Sequence, residues 1–242
     1  MVMLQYSYVN ERWIFSHDNE NKTYCNGEKI NENYYFKNLT VKADIQKDGT
    51  VDVNEIFDTN FCVYMHGIFR NIPLKYITDG RKFRISLDDI NVDGKNFSVS
   101  ESNGEKVIKI WDANKNIIGE QRYSIHYSVY GLIKNFAGQG REELNWNVIP
   151  NGFDTQIDQV RVELNLPKKY TWFTSDDFLI SADGKSTKVE DFEGTIDWSK
   201  GDKIILTYDK TIPAWKGISL AIKFPVGYFT FDHEKQKSLI DN

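Results

Sequence analysis

Over much of the chain apolar and polar residues alternate at every second position, the period of a strand that buries one face and wets the other. Leu39, Val41, Ala43 and Ile45 alternate with Thr40, Lys42, Asp44 and Gln46. Phe83, Ile85 and Leu87 repeat the pattern, as do Tyr123, Ile125, Tyr127 and Val129. Two later runs, Val160 to Leu166 and Ile218 to Phe224, stop at Pro167 and Pro225, where a missing backbone donor costs the ladder little. Turn dipeptides separate the runs: Asp48-Gly49, Asp79-Gly80, Asp93-Gly94, Asn103-Gly104, Asn151-Gly152, Asp183-Gly184 and Lys200-Gly201. No window keeps an apolar stripe at helical period, so at most one or two short helices are expected. The predicted fold is all-β: two consecutive antiparallel β-sandwich (Ig-like) units packed together. Residues 35–134 form the first unit and 141–231 the second, divided by the loop Asn135 to Arg141. Residues 1–34 read as a polar extension with one strand near Trp13 to Phe15, and 232–242 as a linker.

Composition narrows the classes. The 242 residues are 40% hydrophobic, enough for a real core without staples. The net charge of -5 and the absence of a basic block make nucleic acid and anionic membrane surfaces poor partners. No run approaches the roughly 18 apolar residues of a spanning helix, and Met1 to Glu11 lacks the apolar centre of a signal peptide. The two cysteines, Cys25 and Cys62, allow one bridge at most. Nothing in the pattern brings them together, so both are expected to be free, Cys62 inside and Cys25 beside the Asn26-Gly27 turn.

The chemistry-bearing residues are sparse. His17, His66, His126 and His233 are scattered singly, and no zinc-ligand spacing occurs, so neither metal nor cofactor is expected. Gly138-Gln-Gly140 opens a dinucleotide-like pattern, but Glu143 stands in the third glycine's place and no βαβ unit surrounds it. Gly217-Ile-Ser219-Leu-Ala221 lies inside an alternating strand and not at a nucleophile elbow. Within a strand, the neighbours Asp88-Asp89, Glu142-Glu143 and Asp176-Asp177 point to opposite faces, and solvated surface is their simplest reading. Trp111 and Tyr130 lie opposite the apolar faces of their strands and are candidates for an interaction or sugar-stacking surface. The exception to the bland pattern is Glu55, which shares a face with Val51, Val53 and Phe57. An unpaired carboxylate there costs several kcal/mol, roughly, so it demands a partner. Arg70 is the favoured one, with Glu143 able to compete for the same guanidinium.

Taken in order, these residues resemble a known family. Lys47-Asp-Gly49, Val51-Asp-Val-Asn-Glu55 and Gly67-Ile-Phe-Arg-Asn-Ile-Pro73 are similar to the opening signature of DUF2207, a family of predicted bacterial membrane proteins with YciQ-like proteins among them. Tyr123-Ser-Ile-His-Tyr127 with Val129-Tyr-Gly131, Glu143-Leu-Asn-Trp-Asn147, the strand ending at Leu166-Pro167 and the strand Gly217 to Pro225 continue the resemblance from about Tyr35 to Phe229. It implies an N-terminal domain outside the cytoplasmic membrane, anchored by segments this chain does not include. The chain departs from that pattern in having no recognisable signal peptide or spanning segment. The family brings no established activity, cofactor or catalytic residue. The expectation is a non-catalytic extracytoplasmic module that binds an envelope protein. Glycan binding on an aromatic sheet face is the alternative, and a hydrolase using Glu143 with a second carboxylate is a third.

Overall fold

The computed structural model describes residues 23–25, 28–30, 32–78, 81–182 and 185–239. The strand expected near Trp13, residue His17 and the turns at Asn26-Gly27, Asp79-Gly80 and Asp183-Gly184 lie outside them. The described residues are mostly β, about 60% strand and 6% helix. Its α-helix, His233–Ser238, and short 3-10 turns such as Ala137–Gln139 are minor elements.

A seven-stranded sheet forms the centre, in the order Thr195–Asp197, Lys203–Tyr208, Val160–Asn165, Tyr34–Ile45, Val51–Met65, Ile117–Tyr130, Ser86–Val92. The alternation read from the sequence sets its faces: Leu39, Val41, Ala43 and Ile45 are buried, while Lys42 and Asp44 are exposed. Asp48-Gly49 closes the first hairpin, with Gly49 at φ 87° donating its N–H to the Gln46 carbonyl. Glycine reaches that conformation without steric cost. A five-stranded sheet runs in the order Ile133–Phe136, Arg141–Ile149, Ile218–Pro225, Phe178–Ala182, Lys185–Thr187. A three-stranded sheet joins Gly67–Pro73, Glu105–Trp111 and Phe97–Ser102, and two hairpins, Thr23–Cys25 with Glu28–Ile30 and Lys75–Thr78 with Arg81–Arg84, complete the sheets of the described residues.

The strands do not segregate at Asn135 to Arg141 as two self-contained sandwiches require. Val160–Asn165 pairs in parallel with Tyr34–Ile45, so the central sheet takes three strands from the second half of the chain and four from the first. One apolar cluster runs from Phe36 to Phe231 across both halves. The parallel contact escapes sequence reading because alternation fixes which face is buried and says nothing about which distant strand lies alongside.

Two further expectations are corrected. Cys25 and Cys62 form a disulfide, with Cα atoms 5.2 Å apart. The hairpin carrying Cys25 lies against Val51–Met65, and Asn60 Nδ2 donates to Cys25 Sγ at 3.1 Å. The contact is long-range and leaves no local signature. Residues 232–239, expected as a linker, dock on the body instead. Phe231 is buried, Gln236 Nε2 donates to the Ile133 carbonyl, and Arg84 N–H donates to the Leu239 carbonyl.

Candidate functional site

Glu55 projects from the centre of the seven-stranded sheet toward Arg70, which stands between Ile68 and Ile72 on the inner face of the three-stranded sheet. The chain passes from one sheet to the other at Gly67, whose φ is 151°; a β-carbon there collides with the Ile110 carbonyl. The guanidinium meets the carboxylate edge-on: Nε donates to Oε2 at 2.7 Å and Nη2 to Oε1 at 2.6 Å. Tyr127 OH donates to Oε1 at 2.9 Å, Arg70 Nη1 donates to the Asn71 carbonyl, and the guanidinium carbon sits 5.4 Å from the centre of the Phe153 ring. Both charged side chains are 4% exposed or less. A cavity of about 10 Å³, room for about one water, lies between Arg70, Tyr127 and Trp146. This geometry joins two sheets. It leaves the carboxylate enclosed by Arg70 and Tyr127 and out of reach of a substrate.

Glu143 is elsewhere. Its carboxylate accepts from Arg141 Nε and Asn145 Nδ2, each at 2.8 Å, so the expected competition for Arg70 does not arise. Glu142 turns to the other side of the strand, where its oxygens accept the N–H groups of Gly227 and Phe229, each at 2.9 Å. Neither is the solvated surface residue that its type predicts, because Glu142 to Pro150 is buried on both faces. A continuous polar and apolar run such as Glu-Glu-Leu-Asn-Trp-Asn carries no period-two signal of that burial. With the two carboxylates on opposite faces, the paired arrangement a glycosidase needs is not formed here.

The two surface candidates also separate. Tyr130 is buried beneath the C-terminal helix: its hydroxyl donates to the Asp232 carbonyl and Lys235 Nζ lies 4.1 Å from its ring centre. Trp111 is half-buried on the outer face of the three-stranded sheet. Its cross-strand neighbour Gly67 offers no side chain, and the indole lies beside His66 at 4.8 Å and Phe69 at 6.0 Å between ring centres. Lys109 Nζ sits over both Trp111 and Phe69. Phe69 is 45% exposed. Beyond Glu105–Trp111 lies the edge strand Phe97–Ser102, all six residues of which are exposed, Phe97 and Val99 among them. It carries neither lysine nor proline, the usual protections of a free edge. His66, Phe69 and the edge strand were missed in the sequence. Phe97 and Val99 alternate as core residues do, and only topology reveals an edge.

Among the described residues, no group of three His, Cys, Asp or Glu side chains is placed to hold a metal. No helix of those residues is long and apolar enough to cross a membrane. The family model described as the predicted membrane protein (DUF2207) N-terminal domain matches residues 35–224. The chain belongs to this family. No curated protein matches the DUF2207 chain significantly. Solved structures similar to it include native yeast LTA4 hydrolase, at a TM-score of 0.47 and 8% identity, covering 78% of this chain and 29% of that one. An M1 zinc metallopeptidase from Deinococcus radiodurans gives a TM-score of 0.38 and 9% identity, covering 78% and 42% respectively. The DUF2207 chain thus spans less than half the length of either protein. At these scores the likenesses assign it neither chemistry nor substrate.

Proposed function

We propose that this DUF2207 domain is a non-catalytic binding module on the outer side of the cytoplasmic membrane, and that it engages a protein partner through its three-stranded sheet. The observation that carries the reading is the edge strand Phe97–Ser102, whose outer side pairs with no strand among the described residues and which adjoins the face that displays Phe69, Trp111 and Lys109. A free edge supplies main-chain donors and acceptors to an incoming strand, and the neighbouring aromatics supply anchors. The enclosure of Glu55 by Arg70 and Tyr127 supports a non-catalytic role. The Cys25–Cys62 disulfide supports the outer location, since such bonds persist in oxidising compartments.

Photo-crosslinking tests this. A benzophenone amino acid placed at Ser98 in cells is expected to give one discrete, protease-sensitive adduct that disappears with Phe69→Ala/Trp111→Ala. The same probe at Trp215, an exposed residue outside this sheet, should give none. No adduct from Ser98, or equal adducts from both positions, refutes the proposal. The row His66, Trp111, Phe69 also favours a second reading, sugar stacking on the same face. Retention on cell-wall polysaccharide that Trp111→Ala abolishes, without a protein adduct, selects it.

A further inference from the structure

A second surface lies at another part of the molecule, where the loop following Val160–Asn165 meets the turn following Ile218–Pro225. An open groove there is lined by Lys168, Lys169, Tyr170, Trp172, Val226 and Tyr228. Tyr228 holds the two segments together. It is buried, its hydroxyl donates to the Lys168 carbonyl, and its ring stacks near Phe224 and meets Tyr170 edge-on. Tyr170 N–H is fixed in turn to the Gly201 carbonyl at 2.7 Å. On this rigid base Trp172 is 79% exposed, the most exposed large apolar side chain among the described residues, and Val226 at the turn tip is 49% exposed.

The charges that line the groove have one sign. Lys168 Nζ lies 4.6 Å over the Tyr228 ring, and neither Lys168 nor Lys169 forms a salt bridge among the described residues. The carboxylate behind the turn, Glu142, faces inward and is satisfied by the Gly227 and Phe229 N–H groups. On the adjoining segment Lys200 accompanies Asp202. Lys223 reaches only the Asp176 carbonyl.

We infer that this rim is a membrane-contacting surface: Trp172 and Val226 enter the headgroup region of a bilayer while Lys168 and Lys169 attract its anionic lipids. Tryptophan settles at the interface because its ring is apolar and its N–H still finds a partner, and lysine stems reach headgroups from the same depth. Two lysines beside an anionic surface strengthen partitioning by about 30-fold together. Membership of a membrane-protein family places the domain where such a surface is within reach. The overall charge of -5, which argues against anionic partners, averages away this local concentration of positive charge.

The test is flotation of the purified chain with vesicles of phosphatidylcholine alone, or of phosphatidylcholine with an equal part of phosphatidylglycerol, at low and at physiological salt. Binding is expected with the anionic vesicles only and should weaken as salt rises. Lys168→Glu/Lys169→Glu should reduce it by about 30-fold or more. Trp172→Ala and Val226→Asp should each reduce it several-fold, and Trp215→Ala, exposed elsewhere, should leave it unchanged. Lys168→Gln/Lys169→Gln, milder toward the Tyr228 contact, guards against a folding defect and should show an intermediate loss. No binding to anionic vesicles, equal binding to neutral ones, or wild-type binding by the variants overturns the inference. So does full competition by inorganic phosphate, which identifies a free-anion site instead of a membrane surface.

Discussion

Removing either member of the Glu55–Arg70 pair strands the other charge in the interface between two sheets. Each guanidinium–carboxylate contact is short, and both side chains are 4% exposed or less, so beyond the one water the cavity beside Arg70 can hold, solvation is not restored without opening the sheets. Glu55→Ala and Arg70→Ala are each expected to cost about 3–5 kcal/mol. For a chain of this size that lowers the melting temperature by about 6–20 °C. Arg70→Ala also removes the contact with Phe153, which places it at the upper end. Tyr127→Phe deletes one hydrogen bond to a charged acceptor, worth about 1.5–3 kcal/mol. The decisive measurement is a double-mutant cycle by urea denaturation, followed by circular dichroism. The Glu55→Ala/Arg70→Ala double variant strands neither charge and should lose far less than the sum of the single losses. Additive losses, or single variants within about 1 kcal/mol of wild type, refute the idea that the pair is a buried inter-sheet tie.

Cys25→Ala/Cys62→Ala removes a bridge across 37 residues of sequence, and the loop-closure model assigns that about 3–4 kcal/mol, measurable as a shift in urea midpoint that reductant reproduces in the wild type. Tyr123→Phe should leave stability unchanged or raise it by about 1–2 kcal/mol, because the hydroxyl is buried without a hydrogen-bond partner among the described residues; burial also pushes its pKa up to about 12. Glu163 is hydrogen-bonded by Arg161 and Lys203, with Arg161 the larger influence, and these hold its carboxyl below the usual 4.5. Its contribution is therefore complete above that value and is lost as pH falls through the lowered folded one, so Glu163→Gln should flatten the acid limb of a stability–pH curve and leave the region above neutrality parallel to wild type.

What the sequence disclosed follows from what each signal encodes. Alternation locates Leu39 to Ile45 and Val160 to Leu164 because side-chain period and burial are local properties. Glu55 stood out for the same reason, as a carboxylate on an apolar face, and demand for a cation led to Arg70. The disulfide, the parallel seam and the burial of Glu142, Glu143 and Tyr130 are properties of distant neighbours. Tyr130 sat opposite an apolar face and so read as exposed, but the C-terminal helix covers it. The lysines at 168 and 169 vanished into a net negative charge until the fold set Trp172 and Val226 beside them.

The parallel seam also governs how the chain reaches its native state. Asn165 Nδ2 donates to Asp44 across a separation of 121 residues, and Leu39 N–H is satisfied by the Gln159 carbonyl. Until the strand at 160–165 emerges from the ribosome, Tyr34–Ile45 is an open template able to pair with any extended chain nearby. Productive folding therefore waits for a late segment to close a large loop, a high-contact-order route that is intrinsically slow and exposes the nascent chain to aggregation. Truncations ending before Val160 should accumulate as insoluble or chaperone-bound material, however complete their first four central strands.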